Sequence, residues 1–367
     1  MDLIYIGRYC TDEIPGGPEK VAKRIFGNYT KTNKSLFVEY FFDGKKYGVL
    51  KKLFGKEITC NVNGSDVCRL GIFPLFLMLL KIIPKIIHLI TFERFAVAVF
   101  LYKILFRTKV IYNLHGIVVH ENKYYRKSSK FGNLKDRVTE KIILNKSDIL
   151  LLLSKESGKL LKSCYNTYGN KLIFIKNGID GCFYETGIKK ADTGNDTLKT
   201  VFIADTCRKE KGFSFLKDTL ETIKINLDLY IIGNDIHEKV FIKNDFVKVY
   251  RIEKMKPDEL SEFLKDKDVF ISSSVYEPFG MTTVECMAAG VIPVVTKETG
   301  ASEMVTDGIN GFTYSYGDKE RLKSILIELY NKPELREKIF GETMKIYNDL
   351  NWDKINVSYI NIYNSIR

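Results

Sequence analysis

Short apolar runs separated by helix-like segments recur along this 367-residue chain in two successive series, and few architectures can absorb such a pattern. The first series occupies 2–6, 36–41, 58–62, 86–91, 110–114, 149–153 and 172–175; the second occupies 200–204, 227–233, 246–250, 268–272, 292–296 and 311–314. Continuous apolar runs bounded by turn residues suit strands buried on both faces, which is the condition of a parallel sheet covered by helices. Between the series, 185–199 is polar, rich in Gly, Thr, Asp and Lys, and has no core pattern, so it reads as a linker. The expectation is an α/β protein of two doubly wound domains, 1–184 and 200–350, facing across a cleft. The segment 351–367 carries Ile355, Tyr359, Ile362, Tyr363 and Ile366 at helical spacing and reads as a closing helix. Length agrees, because a chain of this size exceeds one ordinary core.

The most apolar stretch, 70–106, could be mistaken for a membrane span. Lys81, Lys85, Glu93, Arg94 and Lys103 interrupt it, and its longest charge-free run has 11 residues. A bilayer needs about 20. The stretch reads instead as helix, strand, helix, strand, with Pro84 as the first break. Seven cysteines form no CxxC pair or Cys/His cluster, so neither a disulfide framework nor a structural zinc site is expected. Met1 leads straight into an apolar strand with no basic segment before it, so no secretion signal is expected and the compartment is read as cytoplasmic.

Chemistry concentrates in 272–312. Glu277 and Glu285 stand eight residues apart around a Pro-Phe-Gly turn, after an apolar strand and across the start of a helix closed by Gly290. Open α/β sheets bind ligands at this carboxyl edge. Free N–H groups at the helix start favour an anion such as diphosphate, and two carboxylates suit the hydroxyls of a sugar and a ribose.

This segment resembles the donor site of retaining glycosyltransferases of family 4, within the glycosyl transferases group 1, whose pattern is E-x7-E with an E-P-F-G start and an A-x-G stop. The likeness continues through Gly300 and Glu303 into Asp307, Gly308, Asn310, Gly311 and Phe312. Weaker likeness covers Gly16-Gly17 with Glu19 and Val21, His115-Gly116, Ser154-Lys155-Glu156, and Asn177-Gly178-Ile179-Asp180. Alone, a GG pair or an NG pair is a turn and a histidine is a core residue; the family's order gives them weight. The resemblance implies the GT-B fold of two Rossmann-like domains, acceptor-binding first and donor-binding second, with the last helix returning to the first domain.

It also implies roles. Glu277 would hold the donor sugar's hydroxyls and Glu285 those of the ribose. Phe279, Gly280, Met281 and Thr282 would line the donor through backbone N–H groups, and His115 would stand across the cleft near the transferred sugar. Arg251 and Ile252 follow a strand where the family contacts the base; UDP is read over GDP. A departing diphosphate gathers negative charge, which cations and dipoles must offset. Lys211-Gly212 fits the family's phosphate motif, but Thr206 stands where its arginine belongs, so either Arg208 supplies that charge or Lys211 acts alone. Gly16 and Gly17 would let main chain approach a phosphate. Asp266-Lys267-Asp268 is a literal D-x-D, but it sits at a helix-to-strand junction, and no cofactor and no metal are expected. With no obvious nucleophile and base, a front-face, retaining substitution is implied.

The net charge of +12 is uneven. Residues 123–141 hold seven basic side chains against two acidic ones, with aromatics interleaved. Arg126, Lys127 and Lys130 are the candidates for contact with an acidic glycan, a lipid diphosphate or the inner face of an anionic membrane; nucleic acid is not expected. The overall reading is a glycosyltransferase acting on a glycan or lipid-linked saccharide in surface polysaccharide synthesis. Two alternatives stand beside it: a nucleotide-sugar 2-epimerase on the same fold, and a non-catalytic nucleic-acid or membrane-binding protein.

Overall fold

A computed structural model describes residues 1–9, 16–41, 47–93, 96–124, 130–165, 171–189, 196–235, 237 and 240–366, without the side chains of 123, 124, 130 and 131. The chain divides into two units. The first comprises Met1–Leu153, Ser157–Lys176 and Asp353–Arg367, and the second Ser154–Glu156 and Asn177–Trp352. The main division thus falls at Lys176/Asn177, ahead of 185–199. The helix Gly181–Ile188 already lies in the second unit, and the first strand of that unit begins at Leu198.

Among its described residues the first unit carries eight strands: β1 (Leu3–Ile6), β2 (Leu36–Glu39), β3 (Lys56–Val62), β4 (Ser65–Leu70), β5 (Ile86–Leu89), β6 (Lys109–Leu114), β7 (Ile149–Leu152) and β8 (Leu172–Phe174). Their order is β3-β4-β2-β1-β5-β6-β7-β8, parallel except for the β3–β4 pair. That antiparallel hairpin departs from the expected all-parallel alternation, in which 65–70 was no strand. Its turn is Asn63-Gly64, with both residues at positive φ, the geometry that a two-residue hairpin demands.

Alternation along the strands divides their side chains between two layers. Ile4, Ile6, Ile87, Leu89, Val110 and Tyr112 join Leu75 and Leu79 of the helix Ile72–Ile82 and Val99 and Tyr102 of the helix Val97–Leu105 in one apolar core. Tyr5, His88 and Asn113 point to the other face, where the helices Gly17–Tyr29 and Trp352–Ser365 bring Phe26, Tyr359 and Tyr363.

The second unit carries β9 (Leu198–Ile203), β10 (Leu227–Gly233), β11 (Val247–Glu253), β12 (Val269–Ser272), β13 (Ile292–Thr296) and β14 (Phe312–Tyr314). All pair in parallel, in the order β11-β10-β9-β12-β13-β14. Each unit is therefore doubly wound, and each has one point where the strand order reverses: between β1 and β5, and between β9 and β12. Right-handed crossovers send consecutive helices to opposite faces on either side of such a point, leaving a crevice at the carboxyl edge.

A buried polar chain fastens the last helix to the first sheet. The Asn113 amide donates to the Tyr359 hydroxyl at 3.0 Å and turns its carbonyl toward His88 Nε2 at 2.9 Å. Nε2 therefore carries the proton, and Nδ1 accepts from the Tyr363 hydroxyl at 2.9 Å. Burial pushes His88 down to about 4. An unfolded chain takes up this proton first as pH falls, so the stability tied to a neutral His88 is complete above about 6.5 and is lost between there and about 4. Chemical denaturation should show a loss across that window to which His88 contributes on the order of 3 kcal/mol, and His88→Asn should remove that part while leaving the part due to His115, which burial also lowers.

Candidate functional site

The reversal between β9 and β12 fixes the location of the second unit's crevice. After β9 the chain turns through Thr206 to a 3-10 turn, Lys209–Lys211, and then Gly212 at φ +66°. After β12 come Ser273, Ser274 and Glu277. Ser273 Oγ donates to the carbonyl oxygens of Lys211 and Gly212, each at 3.0 Å, and Val275 N–H donates to Glu210 O at 2.8 Å. A Cβ on Gly212 would lie 1.9 Å from Ser273 O. The two loops are thus joined by contacts that only glycine permits.

That junction brings Lys211 Nζ against Glu277 Oε2 as an ion pair, with both side chains mostly covered. Glu277 is fixed from its own backbone as well, since its carbonyl accepts from Gly300 N–H at 2.8 Å and it bridges to Thr299. Gly280, at φ +86°, then opens the helix Met281–Ala288. Lys211, Glu277, Gly280 and Thr282 line one narrow cavity of about 20 Å³ together with Ser272 and Ser274. The first N–H groups of a helix have no intrahelical acceptor and carry its positive pole. A cation, a carboxylate and a helix start therefore converge there, groups able to hydrogen-bond an anion and a hydroxyl.

Glu285 is 1% exposed, inside the same helix about one turn from its start. The Phe279 side chain is buried, so what the site receives from it is main chain; Met281 is half-covered at the first helical position. Arg208 does not line the cavity. It is half exposed, and its Nε donates to the buried Glu210 at 2.5 Å. Arg251 and Ile252 share the carboxyl edge but belong to β11, three strands from β12, about 14 Å at the usual strand spacing. Arg251 is engaged by Asp235 through Oδ1 at 2.9 Å and through its backbone oxygen. Asp235 also accepts from Thr206 N–H and hydroxyl, both at 2.6 Å, and from Cys207 N–H. Burial works to raise this carboxyl, but Thr206, Cys207 and Arg251 together hold it below its ordinary value. The position where the phosphate arginine was sought thus ties its loop to Asp235 instead.

Asp266 and Asp268 precede β12 and so lie at the opposite, amino edge of the sheet. Asp266 pairs with Lys199 at 3.2 Å and with Lys267, while Asp268 accepts from Lys199 N–H at 2.8 Å. Several glycines and polar residues of the motif serve geometry instead of ligand contact. A Cβ on Gly300 would meet Pro278 O at 2.2 Å, and the Asp307 carboxylate accepts from Thr313 N–H at 2.6 Å.

The first unit has its own cavity at its own reversal point, about 150 Å³, lined by Arg8, Glu19, Thr91, Tyr112, His115 and Glu121 among others. Gly16 and Gly17 stand at the start of the helix that supplies Glu19 to this cavity, and a Cβ on Gly16 would meet Glu19 Oε2 at 2.7 Å. Burial, with a smaller contribution from His88, pushes His115 down to about 3, and its buried Nε2 has no hydrogen-bond partner among the described residues. Arg126 and Lys127 lie outside the described residues. Lys130 begins the helix Lys130–Lys146, where the two acids of the basic run, Asp136 and Glu140, are buried while Lys135, Arg137 and Lys141 face outward.

Sequence reading passed over Ser272, Ser273 and Ser274 as a loop marker, although the triplet directly after an apolar run was the available signal. It also passed over Arg8 and Glu121, which no local pattern distinguishes.

Residues 186–343 match the family described as Glycosyl transferases group 1. Over 303 residues the chain is 25% identical to an uncharacterized glycosyltransferase of Methanocaldococcus jannaschii, covering 78% of this chain and 85% of that one. It is 24% identical to an uncharacterized 41.2 kDa protein in the cps region of Klebsiella pneumoniae, covering 84% and 89%. Among solved structures, HepE of Anabaena in complex with UDP-glucose superposes with a TM-score of 0.72 at 18% identity over the whole of both chains. This likeness shows the fold, GT-B.

The loop junction gives a direct test. Gly212→Ala should destabilise the second unit by about 2 kcal/mol or more, through strain at positive φ and collision with Ser273 O. Gly308→Ala has positive φ but open space, and should cost only about 1 kcal/mol. Equal denaturation midpoints for the two variants would remove the argument for a glycine-dependent junction.

Proposed function

With its second unit that of a group 1 glycosyl transferase, we propose that the chain is a retaining glycosyltransferase of the family 4 kind. It takes a sugar from a nucleotide-sugar donor, UDP-linked, and delivers it to a glycan or lipid-linked saccharide in surface polysaccharide synthesis, without a metal ion. The observation that carries this reading is the meeting of Lys211 and Glu277 beside the helix start at Gly280, at the reversal point of a parallel sheet. The UDP-glucose named with HepE and the cps region named with the Klebsiella relative support the donor and the pathway class.

In this reading Lys211 neutralises Glu277 until a donor arrives. The diphosphate, with greater charge, takes over Lys211 and the helix N–H groups, which frees Glu277 to accept hydrogen bonds from the sugar's hydroxyls. Glu285 receives the ribose hydroxyls, and Arg251 and Ile252 flank the base. As the bond between the anomeric carbon and the phosphate oxygen breaks, charge grows on that oxygen, where Lys211 stabilises it. The same oxygen accepts the proton of the acceptor hydroxyl as the new bond forms on the same face. The first unit's cavity takes the acceptor, where His115 stays neutral and can offer a hydrogen bond.

Thermal melting against UDP-, GDP- and ADP-sugars should single out a UDP-sugar, and nucleotide should be released only when acceptor is present, which a 2-epimerase would not require. Lys211→Ala should cut turnover by about a hundredfold or more with little change in melting. Glu285→Ala should weaken donor binding by about 1.5–3 kcal/mol, whereas Glu277→Ala should act mainly on turnover. EDTA should leave transfer intact; loss on chelation with recovery on adding a divalent ion would overturn the metal-free mechanism.

A further inference from the structure

Three helices of the first unit turn apolar side chains to solvent. On Ile72–Ile82, Leu75 and Leu79 are buried in the core while Phe73, Leu77 and Leu80 form the outward stripe. On Val97–Leu105, Val99 and Tyr102 are buried while Leu101, Ile104 and Leu105 face out. The helix Val49–Phe54 buries none of its residues and exposes Val49, Leu50 and Phe54. Exposure reaches 76% at Leu50, 65% at Leu77 and 75% at Ile104, so these side chains contribute almost nothing to the core. Exposed Phe54 stacks on exposed Phe73 with centroids 4.9 Å apart, which joins the stripes of those two helices; half-buried Phe76 meets the core residue Tyr102 edge to face at 6.4 Å, so the two longer helices pack side by side on one face of the sheet. A contiguous apolar surface of this kind marks a docking site, unlike singly scattered exposed residues.

Its charges define what docks. The three helices contain no Asp or Glu, but they carry Lys51, Lys52, Lys81 and Lys103, and Arg107 follows the last of them. Lys51 reaches Glu57 at 3.9 Å and Lys103 pairs with Asp148 at 2.5 Å. Lys52, Lys81 and Arg107 have no ion pair among the described residues. A second copy of the chain is a poor occupant, because a two-fold contact would bring these cations together without a carboxylate to offset them. A bilayer with anionic headgroups satisfies both features at once, taking apolar side chains below the headgroups and cations at the phosphates. The longest of the three helices has 11 residues, and no described helix is long and apolar enough to cross a membrane, so the face lies on the surface.

We propose that the outward face of these three helices docks the first unit onto an anionic lipid bilayer. The residues of this surface are distinct from Arg126, Lys127 and Lys130 and from Lys211. It complements the proposed lipid-linked acceptor without resting on the donor chemistry.

The test is co-sedimentation of the full chain with vesicles of phosphatidylcholine alone and of phosphatidylcholine mixed with phosphatidylglycerol. The intact protein should bind the mixed vesicles, less so as salt rises, and bind the neutral ones weakly. Leu77→Ser with Ile104→Ser should lower partitioning roughly tenfold or more even at low salt, since two inserted side chains are removed. Lys52→Glu with Lys81→Glu and Arg107→Glu should abolish the preference for phosphatidylglycerol. All of these positions except the half-covered Lys52 are exposed, so melting curves and UDP-sugar thermal shifts should match those of the intact protein. Unchanged vesicle binding in both variants would overturn the proposal. So would loss of binding only on neutralising Arg126, Lys127 and Lys130, or a dimer that Leu77→Ser with Ile104→Ser dissolves.

Discussion

The adjacency of β9 and β12 is the constraint on which the meeting of Lys211 and Glu277 depends. Two strands distant in sequence pair in parallel at Val269 with Thr200 and Phe270 with Val201, and the loops that follow them leave the sheet at the same edge. Lys211 comes from one loop and Glu277 from the other, so neither half has the site alone. Because the strand order reverses at this pair, the crossover helices diverge and leave the crevice open. The contact between Gly212 and the Ser273 carbonyl then sets how closely the loops approach. A parallel sheet gives the neighbourhood, and a missing side chain gives the distance.

The residues of the motif divide by physical task. Gly212, Gly280 and Gly300 are places where a Cβ would meet backbone or a packed side chain, and the first two also sit at positive φ. Asp307 and Asn310 tie a turn to itself through backbone hydrogen bonds. Lys211, Glu277, Ser272, Ser274 and the helix start line the cavity instead. Most of the signature is therefore scaffold, and such scaffold keeps a mobile cation such as lysine within reach of one carboxylate.

The first unit shows the same economy on its two helical layers. One layer is sealed by polar hydrogen bonds among His88, Asn113, Tyr359 and Tyr363, where desolvation keeps the histidine neutral. The other is built from helices apolar on both sides. Their inner stripes fill the core and their outer stripes face outward. The high apolar content of 70–106 comes from this double use, with a span ruled out by its charges and its Pro84 break.

Much of this was legible in the residues themselves. Period and run length reveal strands, because burial on both faces requires continuous apolar residues, and thirteen of the fourteen strands among the described residues lie on runs recognised that way. The exception, β4, has polar Ser65, Asp66 and Arg69 among its six residues, as a strand paired beside an edge hairpin can; only its Asn63-Gly64 turn announced it. The spacing of Glu277 and Glu285 also placed one in the loop after β12 and the other in the helix that follows, since a strand-loop-helix unit converts sequence distance into geometry. What sequence could not decide was pairing at long range. The engagement of Arg208 by Glu210, the capture of Arg251 and the Thr206 loop by Asp235, and the helix faces left uncovered depend on distances between segments remote in the chain. Local propensity contains no term for those distances, and only the tertiary structure supplies it.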